Sequence, residues 1–161
     1  MKLLLIFLLL TGTAGPDQGG RYPVKKLYAF RQSVSGGTNA LLKEQKGPAQ
    51  RLLIYVKPWP GKEIRAVSLW IEGTARSFTT KVIPTPVVQK ESVSLGRKKG
   101  NRTLVPGNGN EVLEIIEGAA VSGTPYPSHL KVYPVLLQYE YAGKTYYLGG
   151  NWKQLPSIVR Q

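Results

Sequence analysis

Apolar residues in this chain recur at every second position over short stretches, and glycine, proline and asparagine cut the stretches apart. Alternation with period two puts side chains on opposite faces of an extended chain, so the pattern predicts strands from Val24 onward. Val24–Gln32 is the first, with Tyr28 and Phe30 on one face and Leu27 and Ala29 on the other. Ser33–Asn39 is polar and glycine-rich and reads as loop. Ala40–Lys46 carries helix formers but is too short to stand as a helix alone, so it reads as one helical turn or as loop. Arg51–Lys57, Ile64–Glu72 and Ala75–Ile83 read as a meander, turning through Pro58–Lys62 and through Glu72-Gly73-Thr74. Within Ile64–Glu72, alternation sets Val67, Leu69 and Ile71 against Ile64, Ala66 and Trp70. Val87–Leu95 and Thr103–Val105 follow, on either side of a basic turn at Gly96–Arg102.

Glu111–Glu117 fits two periods. Val112, Ile115, Ile116 and Ala119 would line one helical face with the glutamates opposite, but the shortness of the run, its β-branched content and the flanking glycines favour a strand. Gly118–Ser128 reads as loop. Val132–Tyr141 and Lys144–Leu148 form a hairpin about Ala142-Gly143, Gly149–Pro156 closes the domain, and Ser157–Gln161 pairs as a short edge strand. The total is about eight or nine strands spaced by about 8–15 residues, with no long helix and no repeat. That arrangement predicts an all-β antiparallel sandwich, immunoglobulin-like as first choice and a jelly roll or small barrel as second.

The first fourteen residues break the strand pattern. Lys2, eight consecutive apolar residues from Leu3 to Leu10 and the small residues Thr11 to Gly15 have the layout of a secretory signal peptide, with cleavage after Ala14. The expected organisation is a signal peptide over 1–14, a flexible N-terminal segment over 15–23 and a single β domain over 24–161. The apolar run is about half of the ~20 residues a membrane-crossing helix needs, and no later stretch approaches that length, so no transmembrane span is expected. The chain has no cysteine, which excludes disulfides and a lipid-modified cysteine at the cleavage point. A domain of roughly 150 residues buries enough surface to manage without such staples. An exported protein of this kind, periplasmic or secreted, suits a bacterial envelope, and the sequon-like Asn101-Arg102-Thr103 reads as chance.

Twenty-two lysines and arginines stand against nine acidic residues, a net charge of +13. Loss of Lys2 with the signal leaves +12, a surplus that attracts polyanions. For an exported chain the expected partners are an anionic envelope component, an acidic glycan or a protein partner, not nucleic acid. Arg97, Lys98, Lys99 and Arg102 form a candidate anion-binding loop, because guanidinium forks and ammonium groups crowd a glycine-flanked turn. The same four side chains would serve equally as a solvated tip that discourages edge pairing. Tyr139, Tyr141, Tyr146, Tyr147 and Trp152 form a candidate aromatic platform for a sugar ring or a protein, with cross-strand core packing as the alternative.

Catalytic chemistry is sparse. Asp17 is the only aspartate and His129 the only histidine, which removes a Ser-His-Asp arrangement, multi-histidine zinc and aspartate-rich calcium loops, so no metal or cofactor is expected. Gly143-Lys144-Thr145 ends like a phosphate-binding loop, but Gln138 stands where its first glycine is needed. Ser128-His129-Leu130-Lys131 matches Ser-x-x-Lys without the companion motifs of the penicillin-recognising enzymes. Glu111, Glu114 and Glu117 are the only clustered carboxylates, and on a strand only Glu111 and Glu117 share a face. The reading that follows is an exported, non-enzymatic β protein that binds or scaffolds something in the envelope. A carbohydrate- or anionic-lipid-binding module using the basic loop and aromatic cluster is the alternative, and a small hydrolase using paired glutamates is a third.

Overall fold

The computed structural model describes residues 22–35, 49–90, 100–107 and 109–159. Ten strands run through them: β1 (Val24–Ser35), β2 (Ala49–Pro58), β3 (Arg65–Ile71), β4 (Thr74–Pro84), β5 (Val87–Lys90), β6 (Asn101–Val105), β7 (Glu111–Ala120), β8 (Val135–Tyr141), β9 (Lys144–Gly150) and β10 (Trp152–Val159). The all-β expectation holds, since every regular element among the described residues is a strand. Eight strands lie in one sheet in the order β10-β1-β2-β7-β4-β3-β8-β9, and β5 and β6 make a separate two-stranded sheet. The large sheet is mixed, because β1 and β10 run parallel while its other neighbours are antiparallel. An immunoglobulin-like sandwich is not confirmed: the strands are gathered into one sheet and not shared between two comparable ones.

That sheet is strongly curled, and the connection from β9 to β10 shows why. The two strands occupy opposite edges, which in a flat sheet of eight strands would lie about 34 Å apart at ~4.8 Å per strand. Only Asn151 separates them, and two peptide steps reach at most about 7 Å. The edges therefore come together at this corner, giving a half-barrel. Gly150 permits the approach: a Cβ there would lie 2.5 Å from Leu27 Cδ2 on β1.

The concave face holds the main core, with Ala29, Ile54, Val56, Leu69, Ile71, Ile115, Val135, Leu137 and Tyr139 buried among residues from all eight strands. The convex face is covered twice. The β5–β6 ribbon lies over Phe30, Leu53, Tyr55 and Val112 through Leu104 and Val105, pinned by Gln89, which donates to buried Gln32 (2.7 Å). The segment 121–134 covers Trp70, Ala75 and Leu136 with Tyr126, Leu130 and Tyr133. Trp70 Nε1 donates to the Thr124 carbonyl (3.2 Å), and the Tyr126 hydroxyl donates to the Lys131 carbonyl (2.8 Å) while accepting from Tyr133 N (3.0 Å).

Several sequence expectations need correction. The meander through β2, β3 and β4 does not form: β2 pairs with β1 and β7, and only β3 and β4 make a hairpin. The stretch from Trp59 to Ile64 instead carries the chain past two strands at one end of the sheet. The simple alternation within Ile64–Glu72 fails because a bulge between Ala66 and Ser68 shifts the register, so Ile64 and Ala66 join Leu69 and Ile71 on the concave face. The edge strand expected at Ser157–Gln161 begins earlier, at Trp152, within the stretch expected to close the domain. Glu111–Glu117 is strand, extended to Ala120, and β8 begins only after Pro134. The signal segment 1–14, Ala40–Lys46 and the stretch 91–99 lie outside the described residues.

Candidate functional site

The sheet splits between β3 and β4, which pair only over Leu69–Ile71 and Thr74–Arg76, and again between β2 and β7, where a cavity lies. β2 pairs with β1 along its whole length, from Val34↔Ala49 to Val24↔Pro58, but with β7 only at Ile54↔Ile115, Tyr55↔Glu114 and Val56↔Leu113. Beyond those pairs the strands part. Ala49–Leu53 keeps β1 as its neighbour, Ile116–Ala120 keeps β4, and the edges that face each other have no strand between them among the described residues. The end of β7 is built to diverge. A register shift between Arg76 and Phe78 marks a bulge there, and the small residues Gly118, Ala119 and Ala120 hold it against Ser77, whose hydroxyl donates to the Ala119 carbonyl (3.2 Å). A Cβ at Gly118 would collide with that same hydroxyl.

A cavity of about 530 Å³ occupies the fork, lined by Val34 of β1, Ala49 to Leu53 of β2 and Glu114 to Glu117 of β7. Its volume is in the ordinary range of ligand sites. Leu52, Leu53, Ile115 and Ile116 give it apolar walls, while Arg51, Glu114 and Glu117 bring charge. Glu114 is engaged with Tyr55, its cross-strand partner: burial first and then the adjacent carboxylate push the Tyr55 phenol up to about 12. Glu117 is different. Its Oε2 is buried and has no hydrogen-bond partner in the protein, and Arg76 Nε, at the same end of the sheet, is buried in the same condition. A buried polar atom left unpaired costs roughly 1–3 kcal/mol, so these atoms call for water or a ligand.

The same end carries a brace across the curl. Arg31 of β1 reaches the β3–β4 turn, where its Nη2 donates to Glu72 Oε1 (2.6 Å), and Trp152 Nε1 donates to the same oxygen (2.9 Å). The guanidinium carbon lies 5.0 Å from the centre of the Trp152 ring. The hydrogen bonds from Arg31 and Trp152 hold the Glu72 carboxyl below its ordinary value, outweighing a smaller effect of burial. At the opposite end, a cavity of about 320 Å³ beside Glu63 and Gly143 is lined by the ion pair of Arg65 and Glu140, 2.6 Å apart.

The residues singled out in the sequence are dispersed. Arg97, Lys98 and Lys99 lie outside the described residues, and Arg102 is exposed on β6 opposite Gln89. Tyr139 and Tyr146 stack on the concave side with ring centres 5.4 Å apart, and Tyr146 meets Tyr22 edge-on. Trp152 packs beside them against the core, but Tyr147 points to the convex face, where His129 meets it edge-on. Tyr141 accepts a hydrogen bond from Lys62 at the far end of β8 (2.9 Å). Glu111 and Glu117 share a face but stand six residues, or about 20 Å, apart along β7. Glu114 points the other way. Among the described residues no group of three or more metal-ligating side chains forms, and no helix is long and apolar enough to cross a membrane.

Sequence reading missed the fork, because it consists of a pairing that stops. The available signal was the run Gly118-Ala119-Ala120 after an apolar strand. Comparison with protein-family models, curated proteins and solved structures found no match to this chain.

Proposed function

We propose that this chain is an exported, non-catalytic binding module whose fork between β2 and β7 takes an extended segment of a protein partner as an added strand. The observation that carries this reading is the loss of pairing after Ile54↔Ile115, which leaves two facing strand edges with a cavity between them. Open edges present rows of backbone N–H and C=O groups that template another strand. Both edges of one inserted strand would be satisfied at once, and a donor on it would meet the buried Glu117 oxygen. The wide spacing of Glu111 and Glu117 along β7 speaks against a glycoside hydrolase built on that pair, which would need two carboxyls within roughly 5–9.5 Å. Export rests on the layout of residues 1–14.

The test is selection of binders from a displayed random-peptide library, followed by amide exchange on the protein with and without a selected peptide. The expected peptide slows exchange across Ala49–Leu53 and Ile116–Ala120. Ile116 is half exposed at the fork, and Ile116→Lys should weaken binding by about tenfold or more with an unchanged melting temperature. Selected peptides that protect neither edge, or that ignore Ile116→Lys, would sink the proposal.

A further inference from the structure

Three lysines gather on the convex side of the β1–β2 pair, at the end of the sheet away from the fork. The register passes from Val24↔Pro58 to Lys26↔Lys57, so Lys25 is an extra residue in β1. A bulge of this kind re-aims side chains that simple alternation would separate. Lys26 and Lys57 stand directly opposite each other, an arrangement in which like charges repel. Lys57 is only 4% exposed, and its Nζ donates to the Pro106 carbonyl (3.0 Å). Burial, and then the charge of Lys25, push the Lys57 ammonium below its ordinary value.

Each ammonium is held in place by an uncharged partner. Lys25 Nζ lies 4.9 Å from the centre of the Trp59 ring, and Lys26 Nζ lies 5.1 Å from that of Tyr28. Trp59 is itself fixed, its backbone N–H donating to the Pro23 carbonyl (2.9 Å). Arg31–Glu72 and Arg65–Glu140 are ion pairs, and among the described residues no carboxylate pairs with any of the three lysines. Charge kept only for solubility would be spread over the surface. Here it is concentrated by a bulge, partly buried and steadied by two aromatic rings and a carbonyl.

We propose that Lys25, Lys26 and Lys57, with Trp59 and Tyr28, form a binding site for a phosphate group. A phosphate monoester carries close to two negative charges near neutral pH and presents several acceptor oxygens. It thus matches three cations better than a carboxylate, and compact ammonium groups suit it as point-charge donors. Its arrival relieves the repulsion between Lys25 and Lys57. The proposal does not depend on the fork.

Two probes separate the sources of the phosphate. The first is inorganic phosphate, titrated against the purified protein by calorimetry and by the NMR signals of the lysine side chains. The second is phosphatidylcholine vesicles with and without phosphatidic acid. The variant Lys25→Gln/Lys26→Gln removes the two exposed cations, and Lys131→Gln/Lys144→Gln removes the same charge from exposed positions elsewhere. Saturable phosphate binding that weakens by about tenfold or more in the first variant and persists in the second is the expected result. Vesicle binding that follows phosphatidic acid and the first variant in the same way identifies a lipid headgroup as the source. Binding to inorganic phosphate alone identifies a soluble or glycan-borne phosphate. If neither probe distinguishes the first variant from the second, the cluster is general surface charge and the proposal is overturned.

Discussion

Strand β2 is two strands laid end to end. From Ile54 to Val56 it has a neighbour on each edge and every side chain is buried; from Ala49 to Arg51 it has one neighbour and every side chain is exposed. Composition separates the ends of the strand, since Gln50 and Arg51 are polar, but Leu52 and Leu53 between them are as apolar as Ile54. There the difference is the second neighbour. Where β7 accompanies β2, backbone pairing and core packing reinforce each other; where it turns away, the sheet keeps its shape through β1 and β4 alone. Stability and availability for a ligand are thus assigned to adjoining stretches of one strand.

The sharpest way to break this comparison is truncation on either side of the parting point. Ile54→Ala, inside the paired stretch, should cost about 2–5 kcal/mol in urea unfolding. Leu52→Ala, two residues away on the same face, should cost about 1 kcal/mol or less. Equal costs would mean that the fork half is as much a part of the core as its neighbour.

Tyr55 tests the boundary itself, because it pairs with Glu114 next to the last joined position. Its folded phenol titrates at about 12 against an ordinary value of 10.0. The sign follows from the raised value: the contribution is complete below pH 10 and drains away as pH climbs toward 12, when the unfolded chain ionises first. The loss over that interval should be on the order of 2 kcal/mol, and Tyr55→Phe should flatten it in unfolding curves taken along the pH series.

The smallest effect belongs to the brace across the curl. The Glu72 carboxyl is lowered by its hydrogen bonds, so its contribution is present above the ordinary carboxylate value and is lost as pH falls through the folded one. Glu72 is largely exposed, which limits Glu72→Gln to about 1 kcal/mol or less in melts at neutral pH, with the difference vanishing in acid.

Local features of this fold were legible. Leu27 and Ala29 do face away from Tyr28 and Phe30, and the hairpins about Glu72-Gly73 and Ala142-Gly143 turn where expected, with positive φ at both central residues of each. Partner choice was not legible. Pro58 and Pro60 suggest a turn equally well whether the chain doubles back or travels onward, so β3 was assigned to the wrong neighbour. The early start of β10 was hidden by Pro156, which is tolerated inside it because β10 lies at the sheet's edge, where one side needs no N–H. The lysine site escaped because Lys25 and Lys26 are adjacent, and only the bulge brings both to act beside Lys57. The fork escaped because a missing pair leaves no local pattern.

The one-residue step from β9 to β10 has a consequence for the order in which the molecule assembles. β1 emerges early in synthesis, but the strand that covers its outer edge is more than a hundred residues behind it. Strands β2 to β9 can find one another while the half-barrel still gapes, and the seam is sewn only once Trp152–Val159 is available. Long-range closures of this sort are slow. Such a topology closes late, and the outer edge of β1 stays open until the last strand has been made.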